Sequence, residues 1–279
     1  VRVREGLGMN LFIVDTTLRD GEQKAGLAFG MAEKVRIAKI LDYAGVYQIE
    51  AGIPAMGDEE KQSIQKIAEL GLGSRISAWN RLNPEDIRQS MDCGADILHI
   101  SVPSSDIQIQ SKLRKDRKWI LEQVRRCVCL ARSGSREVTI GLEDASRADF
   151  GFLLQVISTA CKEGVKRIRY ADTVGILYKK RIFEEIREIR NELKVEIEIH
   201  THNDMGMAVS NSLAAAEGGA AFVDCTAGGI GERAGNCNYL QFVKAARACL
   251  GVFCEVDELR AYEAQKNILD IINRKKAFP

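Results

Sequence analysis

An α/β fold, specifically a (β/α)8 TIM barrel followed by a short C-terminal helical extension, is predicted by three features of this 279-residue sequence. Short β-branched runs alternate with amphipathic stretches eight times over. Roughly 250 residues is the usual length of eight strand and helix units. Polar residues recur at or just beyond the C-terminal ends of the strand runs, the ends that a barrel gathers around one mouth. An open doubly wound sheet is the alternative architecture. The expected barrel domain covers residues 1–250, with 1–8 as an extension before the first strand, and residues 251–279 form the helical extension.

In chain order the strand candidates are LFIVDTT, YQIEAGIP, RISAWNRL, ADILHISVP, EVTIGLED, RIRYADTVG, EIEIHTHND and AFVDCTAGG. Between them MAEKVRIAKILDYAG, DEEKQSIQKIAELG, WILEQVRRCVCLARSG and RIFEEIREIRNEL carry helical spacing. Several such stretches stop at a glycine, among them Gly45, Gly71, Gly94 and Gly164, where a left-handed residue can end a helix. The last segment, VDELRAYEAQKNILDIINRKKAFP, is expected to be an amphipathic helix. Ile268, Leu269, Ile271 and Ile272 give it an apolar face that packs on the barrel or on a second chain.

A hydrophobic content of 46% supplies one large core, and 40 basic against 39 acidic residues leave a net charge of +1. That balance gives no global field for nucleic acid or an acidic membrane, so neither is an expected partner. No apolar run approaches the roughly 20 residues that span a bilayer. The opening VRVREGLGMN lacks the apolar core of a signal peptide, and the expected location is cytoplasmic. The eight cysteines are scattered without a CxxC pair and are expected to be free thiols. Cys127 and Cys129 lie two apart in a predicted helix and do not face each other.

Chemistry concentrates in two distant segments, DTTLRDGEQ at Asp15–Gln23 and HTHND at His200–Asp204. In a strand, residues i and i+2 share a face, so His200 and His202 can offer two imidazoles to one ion while Thr201 points away. Asp20 can add a carboxylate from a neighbouring strand. Two imidazoles and one carboxylate leave open positions on a divalent ion, as a catalytic metal requires. Arg19, Glu50, Glu143, Asp144, Asp172, Thr173, Glu232 and Asn236 also fall at strand ends and converge on the same mouth if the barrel forms. The glycine spacing in GGIGERAGN matches neither the dinucleotide fingerprint nor a P-loop. It is either a tight turn or a loop whose amides approach a ligand.

DTTLRDGEQ, GLEDASRAD at Gly141–Asp149, ADTVG at Ala171–Gly175, HTHND, and GIGERAGN at Gly229–Asn236 together resemble the DRE-TIM metallolyases. More narrowly they are similar to the acyl-CoA condensing branch, the isopropylmalate, citramalate and homocitrate synthases, over essentially the entire barrel. AGIPAMGDEE, ISAWNRL, SVPSSD and LEDASRAD look most like the homocitrate synthases associated with nitrogenase, which implies a place in nitrogen fixation.

The resemblance implies a Claisen condensation in which the methyl carbon of acetyl-CoA, the co-substrate, attacks the keto carbon of a 2-oxo acid before thioester hydrolysis. It implies a divalent ion, Mg²⁺, Mn²⁺ or Zn²⁺, on Asp20, His200 and His202, with Asn236 a weaker fourth ligand. Arg19 resembles the arginine that donates to the developing oxyanion. Glu143 and Thr173 resemble residues contacting the keto acid, and Glu232 a glutamate of the acid-base apparatus. Glu50, as an ion-pair partner of Arg19, also belongs to the expected substrate site. Arg81 and Ser101 are placed to meet the far carboxylate of a dicarboxylic acid such as 2-oxoglutarate. Gly229 and Gly231 are the expected cofactor-contacting glycines. His99, an isolated histidine on an apolar strand, is ambiguous, and such residues are more often packed and satisfied.

Two departures from the family pattern stand out. ADTVGILYKK lacks a proline after DTVG, so the following loop is expected to be looser. Relatives carry a C-terminal lid with a histidine motif over the mouth, and no histidine follows His202 in this sequence. The expectation is a homo-oligomer, a dimer, or association with a second chain that supplies the lid, and weak activity alone. Alternatives are an isopropylmalate, citramalate or citrate synthase, an acyl-CoA lyase, and a catalytically silent binding subunit. GERAGN lacks the cysteine of the matching lyase loop, because Cys237 follows the asparagine.

Overall fold

Eight strands form where the β-branched runs predict them: β1 Phe12–Asp15, β2 Gln48–Gly52, β3 Arg75–Arg81, β4 Ile97–Pro103, β5 Glu137–Glu143, β6 Arg167–Asp172, β7 Glu196–Thr201 and β8 Phe222–Cys225. The computed structural model describes residues 10–134, 136–252 and 256–276. All neighbouring strands are parallel, and β1 pairs with β8 from Phe12↔Phe222 to Asp15↔Cys225, so the sheet closes into a barrel rather than remaining open. The expected extension at residues 1–8 and Cys254 lie outside the described residues.

A helix follows each strand: α1 Met31–Tyr43, α2 Asp58–Ala68, α3 Pro84–Met91, α4 Arg117–Ser133, α5 Phe150–Lys162, α6 Lys179–Glu192, α7 Ala208–Gly218 and α8 Tyr239–Ala245. Their starts are written into the loops. The side chains of Asn83, Asp116, Asp149 and Asn238 accept backbone N–H groups at the first turns of α3, α4, α5 and α8. Gly45, Gly71, Gly94 and Gly164 adopt φ of 62° to 91°, as the helix-stop reading requires.

The helical extension is α9, Glu258–Lys276. Ile268, Ile271 and Ile272 are buried, and the helix packs on α1 and α8 of its own barrel. Gln265 Oε1 accepts from Gly228 N and Leu240 N, tying α9 to the loop after β8. No helix among the described residues is long and apolar enough to cross a membrane. The seven cysteines in the described residues are free.

The barrel interior is layered. At its N-terminal end the rings of Phe12, Tyr47 and Phe222 meet with centroids 4.9 to 5.4 Å apart, and the Arg167 guanidinium lies 4.3 Å above Phe222. Above this plug Arg167, Arg169, Glu198, Glu50 and Asp224 form a buried ionic layer. The mouth opens over that layer, which fixes the charges beneath it.

Candidate metal centre and barrel mouth

Strand alternation along β7 carries Glu198 and His200 inward, and His202 continues the face just beyond the strand, where it bridges Asn236. The Nε2 atoms of His200 and His202 stand 3.2 Å apart. Asp20 Oδ2 lies 3.4 Å from the first and 3.9 Å from the second. Two imidazole nitrogens facing each other beside a carboxylate, all buried, are a donor set suited to a cation. The residues therefore fit a divalent ion.

The surroundings agree with that fit. His200 Nδ1 lies 2.8 Å from Asp224 Oδ2, the outer carboxylate that commonly orients a ligating imidazole. Asn236 Nδ2 donates to Asp20 Oδ1 at 2.8 Å, which leaves Asp20 Oδ2 toward the histidines, while Asn236 Oδ1 is buried without a partner among the described residues. Burial alone would depress His200, but its bonds to Asp20 and Asp224 outweigh it and raise the pKa to about 9. Burial, then the charge of His200, lowers His202 to about 4.

Arg19 comes from the turn after β1. Its Nε donates to Glu50 at 2.5 Å and its Nη1 to Asp20 at 2.7 Å, with the guanidinium 5.6 Å from the Trp79 ring centroid. Glu50 is fully buried and takes Arg169 Nη2 at 2.7 Å on its other oxygen. Burial opposes its ionisation, yet Arg169 and Arg19 overcome this and lower its pKa. Arg169 Nε in turn lies 2.9 Å from Asp224. An unbroken ionic chain thus runs from Arg19 through Glu50, Arg169 and Asp224 to His200.

Arg19, Asp20, Ser101, Glu143, Thr173, His200, His202 and Glu232 all line one cavity of about 190 Å³ at the strand ends. Glu143 accepts from Ser101 Oγ at 3.1 Å, Gln108 Nε2 at 2.9 Å and Lys112 Nζ at 3.0 Å. Thr173 Oγ1 accepts from Asp144 N at 2.8 Å, which leaves its hydroxyl hydrogen to donate into the cavity. Glu232 sits at the rim with its side chain 47% exposed, 3.2 Å from Arg233 Nη1.

Other residues named from the sequence stand away from this cavity lining. Arg81 does not line the cavity; its side chain is 64% exposed and forks onto Asp86, with Nε and Nη2 bonded at 2.6 and 2.9 Å. Glu50 lies below the cavity, its carboxylate engaged by two arginines, Arg19 and Arg169. Gly229 and Gly231 pack against Asn236, and Gly231 also against Asp20. A Cβ at Gly231 would lie 2.1 Å from Asn236 Nδ2, and one at Gly229 3.1 Å from Asn236 O, so their lack of side chains lets the loop close on the metal cluster. The DTVG loop is not loose, because Asp172 accepts Ile176 N and Leu177 N at 3.2 and 3.0 Å and Arg233 Nη2 donates to Thr173 O at 2.7 Å.

Arg169 and Asp224 are the functional side chains that sequence reasoning missed. Their signal is present: Asp224 is a charge inside the otherwise apolar run AFVDC, and Arg169 alternates with Ile168 and Tyr170 in RIRYAD at a parity that points into the barrel.

Comparison with known proteins agrees with this architecture. Residues 10–268 match the family model described as HMGL-like. Over 243 residues, 87% of this chain and 90% of the relative, the sequence is 57% identical to homocitrate synthase subunit alpha of Clostridium pasteurianum. It is 43% identical to 2-isopropylmalate synthase 2 of Caldanaerobacter subterraneus subsp. tengcongensis and to homocitrate synthase 1 of a Nostoc species, covering 92% and 91% of this chain and 67% of each relative. The crystal structure of the HMG-CoA lyase of Bacillus subtilis superposes with a TM-score of 0.81 at 17% identity, covering 95% of this chain and 94% of that one, a likeness of fold. The chain belongs to the HMGL-like family, the DRE-TIM barrels.

Proposed function

We propose that this chain is the catalytic barrel of a homocitrate synthase-type acyltransferase, which condenses acetyl-CoA with 2-oxoglutarate in the cytoplasm and serves nitrogen fixation. The observation that carries the reading is the Asp20, His200 and His202 cluster opening into the same cavity as Arg19, Glu143 and Thr173. The sequence identity to a homocitrate synthase subunit supports the choice of reaction within the family.

Asp20, His200 and His202 would hold a divalent ion, Mg²⁺, Mn²⁺ or Zn²⁺, with Asn236 beside them steering Asp20. When bound, such an ion supplies Lewis-acid polarisation of a keto group and fixes the 2-oxo acid's orientation. Thr173 donates its hydroxyl hydrogen to the acid's carboxylate. Arg19, held by Glu50 and Asp20, keeps its remaining N–H groups at the mouth, where negative charge grows on the keto oxygen as the new carbon–carbon bond forms. Glu143 borders the bound acid, and Glu232 at the rim takes part in removing the acetyl methyl proton or in activating the water that releases the CoA thiol.

The partner of this barrel is a second chain, or another copy of it, that covers the mouth. Support comes from the exposure of Glu232 and from the relative of 57% identity, whose name marks it as one subunit. The test is CoA thiol release, measured with metal-stripped and metal-supplied protein and its partner over 2-oxoglutarate, oxaloacetate, pyruvate and 2-oxoisovalerate. Metal-dependent release greatest with 2-oxoglutarate is expected. Release greatest with another acid would move the chain to a sister synthase, and cleavage of a 3-hydroxyacyl-CoA in its place would make it a lyase.

A further inference from the structure

Arg233, the residue after Glu232 in the loop that follows β8, has a left-handed backbone with φ of 51°. A non-glycine residue adopts that conformation at a cost and keeps it only where its surroundings hold it there. The guanidinium supplies the hold. Nε and Nη2 fork onto Asp204 Oδ1 and Oδ2 at 2.8 and 3.0 Å, Nη2 also donates to Thr173 O at 2.7 Å, and Nη1 donates to Glu232 Oε2 at 3.2 Å. One side chain therefore ties together the loops after β6, β7 and β8.

The junction is built from all three loops. A Cβ at Gly175, after β6, would lie 2.6 Å from Asp204 Oδ2 and 2.9 Å from Asp204 N, so a side chain there would displace the carboxylate that Arg233 grips. Asn203 N donates to Gly235 O at 2.9 Å, a second tie between the loops after β7 and β8. Thr173 is held at both ends, its hydroxyl oxygen accepting from Asp144 N and its carbonyl oxygen from Arg233 Nη2. Thr173 and Glu232 line the mouth cavity, whereas Arg233 stands behind them.

We propose that Arg233 is a positioning residue that sets Thr173 for the 2-oxo acid and Glu232 for proton transfer at the same time, with Asp204 as its anchor. A planar fork makes the Asp204, Thr173 and Glu232 contacts together, which a single ammonium on a flexible stem does not. The assignment rests on the reading of Thr173 as a contact of the acid and of Glu232 as part of the acid-base step, and deepens it. The side chain is 41% exposed, and an exposed ion pair with no further role contributes little to stability and nothing to substrate affinity. Substrate affinity and turnover are therefore the quantities that separate the two roles.

The experiment is a double-mutant cycle of Arg233→Gly and Thr173→Val on the full chain loaded with Mn²⁺, reading 2-oxoglutarate affinity by calorimetry and CoA thiol release at saturating 2-oxoglutarate. Glycine removes the guanidinium yet accepts the left-handed backbone without strain, so the loop itself is not penalised. Each single variant is expected to weaken 2-oxoglutarate binding by roughly tenfold, and the double variant by no more than the larger single one, because both act on one contact. Arg233→Gly is also expected to lower turnover by roughly tenfold or more through Glu232. Arg233→Lys, which keeps the charge but not the fork, is expected to bind the acid within a few fold of Arg233→Gly, and parent-like binding by it overturns the fork as the device. Asp204→Asn, which removes the anchor and leaves Arg233 in place, is expected to reproduce the losses and decides the matter if Arg233→Gly does not fold. Affinity and turnover at the parent's level in Arg233→Gly, or in Asp204→Asn in that event, overturn the role of Arg233 and leave the proposed reaction standing. Losses that add in the double variant overturn its action through Thr173. Parent-like affinity in Thr173→Val overturns the reading of Thr173 as the acid's contact, and the role of Arg233 there with it.

Discussion

Glu50 Oε1 stands 2.5 Å from Arg19 Nε, and its carboxylate is fully buried. A buried carboxylate shared between Arg19 and Arg169 fixes the first guanidinium in one orientation at the mouth, with its positive charge retained. Such preorganisation matters when charge develops during reaction, because the donor is already aimed and need not be reoriented. The same Glu50 links Arg19 through Arg169 and Asp224 to His200, so oxyanion donor and metal ligand share one rigid support.

Arg19→Ala is expected to lower turnover by roughly a hundredfold, the usual effect of deleting one oxyanion donor. Metal affinity should change far less, since Asp20 keeps its bond from Asn236. Glu50→Gln should shift turnover in the same direction by a smaller factor, because the guanidinium remains but is less firmly aimed. Steady-state rates beside metal titrations check both. Turnover within a few fold of the parent in Arg19→Ala would make the arginine a structural ion-pair partner only.

His200→Ala and His202→Ala are each expected to weaken divalent-ion binding by more than about a hundredfold, beyond the ten- to hundredfold typical of losing an outer partner such as Asp224. The fold should survive, because both rings stand at the barrel mouth and not in its apolar layers. Titration of metal-stripped protein, with circular dichroism on the same samples, is the measurement. Parent-like affinity in both variants would remove the metal site.

Asp15 gives the protein a pH-dependent weakness unrelated to catalysis. Burial, and to a lesser degree the charge of Asp224, raises its pKa from 3.8 to about 7, although two hydrogen bonds with Thr17 pull the other way. The unfolded chain releases this proton near 3.8 while the folded chain keeps it to about 7, so stability falls as pH rises across that window and is level above it. The full change is on the order of 4 kcal/mol. Asp15→Asn cannot ionise, so the parent should lose stability relative to it between pH 5 and pH 8 in denaturant melts. A difference that stays constant over that range would show that Asp15 is ionised in the folded protein.

Much of this architecture was legible in the sequence because its signals are local. β-branched runs and glycine stops mark the strands and helices, and the parity of a strand puts His200 and His202 on one face without reference to the rest of the chain. The turn of Arg81 onto Asp86 was not legible for a physical reason: strand parity fixes the Cα–Cβ direction, but a long side chain at a strand end is free to reach the following helix. The ionic layer beneath the mouth was missed because Arg169 and Asp224 acquire their roles only through Glu50 and His200, far away in sequence. Gly141 was legible as part of a motif, yet the room it leaves is taken by the ring of His99 on the neighbouring strand.

The last expectation concerns the open rim. Glu232 is about half exposed and pairs with Arg233, which is itself engaged by Asp204 and Thr173. A carboxylate in such contact with water is a poor base for a carbon acid, since efficient proton transfer needs a positioned partner and a site closed to solvent. His200 and His202 are committed to the metal cluster and His99 lies low in the cavity wall, so no histidine of the described residues stands beside Glu232 to share the proton. A second chain that closes the mouth and brings an acid-base group is therefore expected to raise 2-oxoglutarate-dependent CoA release by roughly a hundredfold or more, the usual range for a positioned general acid or base. Assay of the purified chain alone and mixed with its partner, at equal metal and substrate, measures the factor. Equal rates in the two assays would show that Glu232 and the barrel suffice, and the two-chain reading would fall.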